Sequence, residues 1–409
     1  MSEPVPTYHD RLPELASQLA NRGNIGLVVI DASPLAAIED EYGGDAYEEV
    51  RQRVFKLLAE QCGKDYRAED LLALDEPRGL RFMFFLEPKR RRSLPFTSAD
   101  LRAMRVRLGR SLAPSIGRAA FPYLKTVPRI EVGQGLALHN PLVHTARIVR
   151  GVLSQALDAA SLERDAERLQ VRERLQDIIV RERVVTAYQP ILLIRNRTIL
   201  GYEALSRGTR GTGLETADDL FGAATEHGML VELDRLCRAR ALLSSARVPS
   251  SARIFVNTLP GTIRDPQFRG KPLIDFLDKA QVSPDRIVIE ITEKLVIENY
   301  SLFREAMAYF TDLGMSFAVD DVGAGYSGLE SIARLKPHFL KIDINLVREV
   351  HESVVNREMV KAILSLGRGI GATVIAEGIH TAEEANALVA MGVDYGQGFY
   401  LARPEPGPE

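Results

Sequence analysis

From residue 184 onward, short apolar bursts alternate with stretches of helical spacing. The bursts read VVTAYQPILLI, TILGYEAL, RIFVNT, RIVIEIT, SFAVDD, FLKID, TVIAEG and GVDYGQGFYL. Strand alternating with helix predicts parallel βα units. Eight such bursts predict an α/β fold, a TIM-like (β/α)8 barrel. Only RNRT separates the first two bursts. That gap is too short for a crossover helix, so these two strands are expected to be antiparallel and the barrel distorted.

Each burst carries polar residues at one end. Glu203, Asn257, Glu290, Asp320, Asp321, Lys341, Glu377 and Gln397 fall at or just after the C-terminal end of a burst. In barrels of this kind that end is the catalytic face. A lone strand-end Glu is ordinarily a cap or a surface residue. So many polar residues in phase instead argue for a ring aimed at a common point.

Acids gathered in this way repel one another unless positive charge sits among them. The candidate ligands are all oxygen donors, with no His or Cys at ligand spacing, which suits Mg²⁺ or Mn²⁺. The adjacent pair Asp320-Asp321 points to two ions sharing a carboxylate, the clamp used for in-line displacement at phosphorus. Lys341 is placed to orient or deprotonate an attacking water or to neutralise developing charge. Arg207, four residues beyond Glu203, is placed to hold a phosphate oxygen. The residues alone therefore favour metal-dependent hydrolysis of a phosphodiester. An enolase-type lyase on the same barrel would use similar acids and stays open at this point.

The chain divides near residue 140. Before it, NIGLVVIDAS (24–33) and GLRFMFFLEP (79–88) read as strands, residues 45–61 and 98–111 as helices, and PRIEVGQGLA (129–138) as a short strand. Together they form an α+β unit. The basic run KRRRS (89–93) reads as a solvated loop. Residues 141–183 hold little Gly or Pro, and apolar positions such as Ile148, Val152, Ala156, Leu162, Leu169, Leu175 and Ile178 recur at roughly helical spacing. They predict a long connecting helix, either paired with a second copy or packed on its own domain.

The 409 residues fit two or three domains. A net charge of −3 gives no reason to expect nucleic acid. Cys62 and Cys237 match no metal or redox spacing and suit a reducing compartment. The N-terminus lacks the pattern of a signal peptide, and no apolar run reaches the roughly 18 residues of a membrane span. A cytoplasmic protein without membrane contact is expected.

Eight ordered motifs give a resemblance: YQPI (188–191), YEALSRG (202–208), FVNT (255–258), IEITE (289–293), DDVGAGYSGL (320–329), LKID (340–343), AEGI (376–379) and YGQGFYLARP (395–404). Residues 184–405 resemble an EAL domain, the cyclic di-GMP phosphodiesterase barrel. The resemblance implies Glu203, Asn257, Glu290 and Asp320 as ligands of one metal, and Asp320, Asp321 and Glu377 around a second. It implies Lys341 beside the nucleophilic water, with Glu203 and Glu377 also in the catalytic set. It implies Gln189, Leu205, Arg207 and Gln397 along the dinucleotide, and Glu293 as anchor of the loop after Asp321. That loop carries Gly323, Gly325 and Gly328, which fit a mobile, tightly turning segment. The implied reaction opens cyclic di-GMP to linear pGpG, with two Mg²⁺ or Mn²⁺ ions per site and a homodimer as the working form. The departures are Val322 and Ala324, where the family commonly has Phe and Thr. Both lie in the loop and bear on regulation more than on chemistry. A catalytically silent cyclic di-GMP receptor and a signalling scaffold are the alternatives.

The N-terminal part carries a misleading stretch, EYGGDAYEEV (41–50). Read in register, residues 25–60 resemble the opening of a GGDEF domain, upstream of its signature. Asp31 then matches a metal-binding Asp, while Glu39 stands where an Asn is usual. The signature is expected in the hairpin LDEPRGLRFMFFL (74–86), which has no GG[DE]EF. Residues 1–140 are thus expected to be a degenerate GGDEF-like regulatory domain without cyclase activity, followed by the helix (141–183) and the barrel (184–409).

Overall fold

The computed structural model describes residues 6–61, 70–86, 97–124, 130–259, 263, 265–294, 300–324 and 329–406. The chain forms two compact units, Met1–Gln170 and Val171–Glu409. The basic run 89–93, Cys62, Gly325 and Gly328 lie outside the described residues.

The first unit is built on a four-stranded sheet of β1 (Asn24–Asp31), β2 (Leu71–Leu74), β3 (Arg81–Leu86) and β4 (Glu131–Leu138), in the order β2-β3-β1-β4. All three pairings are antiparallel. Side chains alternate across a strand, and both faces of this sheet are covered. Val28, Ile30, Phe82 and Phe84 face a core shared with Val50, Val54, Leu101 and Leu108. Leu27, Val29, Met83 and Phe85 face another shared with Leu15, Leu19, Val149 and Val152. A strand buried on both faces reads as a continuous apolar run, as NIGLVVID does.

Two features differ from expectation. Residues Leu12–Arg22 form a helix ahead of the first expected strand. The helix expected over 98–111 extends from Ser98 to Ala120, opened by a capping box between Thr97 and Asp100. Gly43 ends the helix Ala37–Tyr42 and Gly44 opens the helix Gly44–Gln61, so this pair lies away from the β2–β3 turn.

The long helix runs from Thr145 to Val180, and the boundary between the units falls within it. Among the described residues, no helix is long and apolar enough to cross a membrane.

The second unit is a closed barrel of eight strands: β5 (Val184–Leu193), β6 (Ile199–Gly208), β7 (Arg253–Asn257), β8 (Ile287–Thr292), β9 (Ser316–Val322), β10 (Phe339–Ile342), β11 (Thr373–Ala376) and β12 (Tyr395–Gly396). β5 and β6 are antiparallel, as the short RNRT link requires. The sheet then runs parallel from β6 to β12, and β12 closes it antiparallel on β5. A short β13 (Glu405–Pro406) adds to β5 from outside. Ile191, Phe255, Val288, Ala318, Phe339 and Ile375 form one buried cluster of strand residues. A larger apolar layer joins the strands to their helices. The eighth burst yields only two strand residues. A Cβ at Gly398 would stand 2.2 Å from the Ile379 backbone, so the chain crosses there at close range and does not extend the ladder.

Cys237 lies buried with Leu175, Ile178 and Leu233. Burial pushes its thiol up to about 11. The folded chain therefore binds this proton more tightly than the unfolded chain, and the group lowers stability only as pH rises above about 9. Cys237 in the native protein at pH 8 should react with a water-soluble disulfide reagent at least ~100-fold more slowly than after unfolding. The Cys237→Ser variant supplies the background. Native labelling as fast as unfolded labelling would contradict this burial.

Candidate active site

The ladder register sets the ring. Gln189 pairs with Glu203 across β5 and β6, and Asn257 pairs with Glu290 across β7 and β8. Asp320 and Asp321 come from the end of β9 and Lys341 from within β10. Glu377 directly follows β11, and Gln397 follows β12. The barrel thereby brings together Glu203, Asn257, Glu290, Asp320, Asp321, Lys341, Glu377 and Gln397.

Lys341 is the centre of this arrangement. Its side chain is fully buried, and Nζ lies 2.7 Å from Glu377, 2.8 Å from Glu290 and 3.3 Å from both Glu203 and Asp320. Burial alone would favour the neutral amine. The surrounding carboxylates outweigh it and hold the ammonium well above its ordinary value. Glu203 is fixed on both oxygens: Asn257 Nδ2 donates to Oε1 at 3.2 Å, and Gln397 Nε2 donates to Oε2 at 2.5 Å. Burial would raise this acid too, but Lys341 and the two amides hold it below its usual range.

One ammonium does not balance five carboxylates. Burial first, and then the neighbouring acids, raise Glu290 and Glu377 well above the carboxylate range. Burial, with Asp320 and Asp343 beside it, pushes Asp321 up to about 6. Both Glu290 oxygens are buried without a well-directed hydrogen bond, although Lys341 stands at ion-pair distance. Buried acceptors in that condition are costly. Two sets, Glu203-Glu290-Asp320 and Asp320-Asp321-Glu377, each offer three carboxylate oxygens within 4.8 Å of one another. Asp320 belongs to both. A hard divalent cation in each set fits the donor chemistry and would supply the missing positive charge.

The backbone at the end of β9 is strained into place. Asp321 adopts φ +57°, a left-handed conformation rare for residues with a side chain, and Gly323 follows at +96°. Asp321 N–H donates to Asp320 Oδ1 at 3.0 Å, and Gly323 N–H donates to the buried Glu293 Oε2 at 2.8 Å. Val322 is fully buried.

The residues expected along a substrate sit differently. Gln189 Nε2 donates to the Ala402 carbonyl at 3.2 Å, and Arg207 Nη1 to that of its neighbour Ser206 at 2.8 Å. Leu205 is partly exposed on β6, opposite Ala187. Asp343 was not singled out from sequence. It is buried, caps the helix Ile344–Val347 and adds negative charge beside Asp321. An Asp immediately before an apolar helical start is the signal that marks it.

A raised acid pKa in the fold means that stability falls as pH rises through the interval from about 4 to about 6. Asp321→Asn should therefore raise the Tm of metal-stripped protein by about 2–4 °C at pH 8, and little at pH 5. It should also blunt the Tm gain on adding Mn²⁺. A lower Tm at pH 8, with the Mn²⁺ gain intact, would count against this charge balance.

Residues 172–404 match the family model of the EAL domain. The bifunctional diguanylate cyclase/cyclic di-GMP phosphodiesterase MucR of Pseudomonas aeruginosa is 25% identical over 428 residues, covering 98% of this chain and 58% of that protein. The cyclic di-GMP phosphodiesterase PdeR of Escherichia coli K12 is 30% identical over 248 residues, covering 60% of this chain and 37% of that protein. The chain thus spans well under two thirds of the length of these relatives. A solved MucR phosphodiesterase in complex with c-di-GMP is similar at 26% identity and a TM-score of 0.53, covering 58% of this chain and 98% of that one.

Proposed function

The chain belongs to the EAL domain family, and from that premise we propose that its barrel hydrolyses cyclic di-GMP to linear pGpG. The observation that carries the reading is the group of five carboxylates, Glu203, Glu290 and Asp320 buried and Asp321 and Glu377 half-buried, four of which stand at ion-pair distance from Lys341. We assign Glu203, Asn257, Glu290 and Asp320 to one Mg²⁺ or Mn²⁺ ion, and Asp320, Asp321 and Glu377 to another. When bound, such ions polarise a phosphodiester and lower the pKa of an attacking water.

The chain's own groups supply the rest. Lys341, kept as an ammonium, donates a hydrogen bond to orient the water and balances the negative charge that grows on the phosphoryl oxygens. Its role is electrostatic, since a lysine held so firmly in the charged form is a poor base. Gln397 and Asn257 fix the Glu203 carboxylate, which limits reorganisation during the reaction. Arg207, released from the Ser206 carbonyl, suits a phosphate oxygen, with Gln189, Leu205 and Gln397 along the nucleotide. Glu293 controls the loop through the Gly323 amide.

We assign residues 1–140 to a degenerate GGDEF-like regulatory domain, 141–183 to a connecting helix and 184–409 to the phosphodiesterase. The lack of a GG[DE]EF signature in the β2–β3 hairpin, residues 74–86, supports a domain without cyclase activity. Arg81 lies 3.1 Å from Asp31 and 3.3 Å from Asp75, so a guanidinium already stands between these acids. A cytoplasmic homodimer completes the reading.

The test is chromatographic. Full-length protein with Mg²⁺ or Mn²⁺ should convert cyclic di-GMP to pGpG, and EDTA should stop it. Glu203→Ala should lower the rate at least ~100-fold and Lys341→Ala ~10²–10³-fold. Tight binding with the nucleotide recovered intact would mean a receptor. No binding at all would mean a scaffold.

A further inference from the structure

We infer that Glu384, outside the ring, is a positioning residue for Glu377; the inference rests on the reading of the ring as a phosphodiesterase site. Glu384 is the third residue of the helix Ala382–Met391 and forms a capping box with Thr381. In an ordinary box the acid reaches back to one backbone N–H at a helix end. Glu384 does more. It is only 3% exposed, and its Oε2 accepts from both His380 N–H at 2.7 Å and Thr381 N–H at 3.1 Å. Its Oε1 accepts from Glu349 N–H at 3.2 Å, in the segment after β10.

Glu349 has φ +55°, past the short helix Ile344–Val347. Its amide therefore belongs to a turn, and the buried carboxylate satisfies it. Glu384 thus ties the segment that follows Lys341 to the segment that follows Glu377. The same two segments meet at two further points. Glu377 N–H donates to the Ile342 carbonyl at 3.2 Å. Gly378, at φ +64°, leaves room for Ile344, whose Cγ1 would stand 2.2 Å from any Cβ there. A short chain therefore runs from the Glu384 carboxylate through His380 to Glu377, and through Glu349 and Ile344 to Lys341. A carboxylate with both oxygens engaged fixes the spacing of these segments, and with it the 2.7 Å contact between Glu377 and Lys341.

The experiment compares full-length Glu384→Ala, Glu384→Gln and Thr381→Ala. Thr381→Ala removes the hydroxyl that accepts from Glu384 N–H and leaves the bridge in place. Two readouts are taken: kcat and KM for cyclic di-GMP, and Mn²⁺ affinity without nucleotide. Glu384→Ala should lower kcat about 10–100-fold, leave KM within about twofold, and weaken Mn²⁺ binding about 10-fold. Glu384→Gln, which keeps a carbonyl acceptor, should recover part of each loss. Thr381→Ala should match the wild type in kcat and Mn²⁺ affinity, even where its Tm falls. Equal losses in Glu384→Ala and Thr381→Ala, tracking Tm, would overturn the inference and leave Glu384 a helix cap. If the wild type does not hydrolyse cyclic di-GMP, the phosphodiesterase reading fails, and the Mn²⁺ comparison still decides the role of Glu384.

Discussion

A single ammonium buried among carboxylates organises the C-terminal end of this barrel's strands. Lys341 has no exposed surface and stands within ion-pair distance of Glu203, Glu290, Asp320 and Glu377. Burying such a charge unpaired would be prohibitive, and each acid would be equally costly without the lysine. The group still carries more negative charge than Lys341 balances. Bound cations would relieve that surplus; without them, burial first and then the neighbouring acids raise the pKa of Glu290, Glu377 and Asp321. Stability and chemistry are opposed here, as is common where a site is preorganised for charge.

The neighbouring backbone is arranged to keep that geometry. The ends of β9, β10 and β11 lock in sequence, with Asp343 N–H on the Val322 carbonyl and Glu377 N–H on the Ile342 carbonyl. Glu293 holds the Gly323 amide from one side, and Glu384 spans the next two segments from the other. Two buried acids outside the ring thus brace the loops that carry Asp321 and Glu377. Each accepts from backbone N–H groups, which are rigid donors with no rotamers to lose.

Much of this was legible in the sequence, because barrel strands are short and their ends are chemically distinct. The period of the apolar bursts gave the barrel, and RNRT gave its antiparallel start. The polar residue at each burst end gave the ring. Contacts made at long range or through backbone shape were not legible. Nothing local to Glu384 announces Glu349, 35 residues away, and nothing in DDVG announces a left-handed Asp321. Arg207 turned to its own neighbour's carbonyl because a charged donor takes the acceptor within reach. The eighth strand came out short because Gly396 and Gly398 permit a close backbone crossing that periodicity does not report. In the first unit, LPELASQLANR is a short helix whose Leu15 and Leu19 are buried by distant strands, a contact its own residues do not announce.

The central claim is that the ring is a two-cation site centred on a shared Asp320. The most direct measurement is anomalous scattering from crystals of the full-length protein grown with Mn²⁺. The account predicts two Mn²⁺ peaks per chain, with Asp320 contacting both, Glu290 contacting one and Glu377 the other. No peak in the ring, or a single ion that Asp320 does not touch, would contradict it.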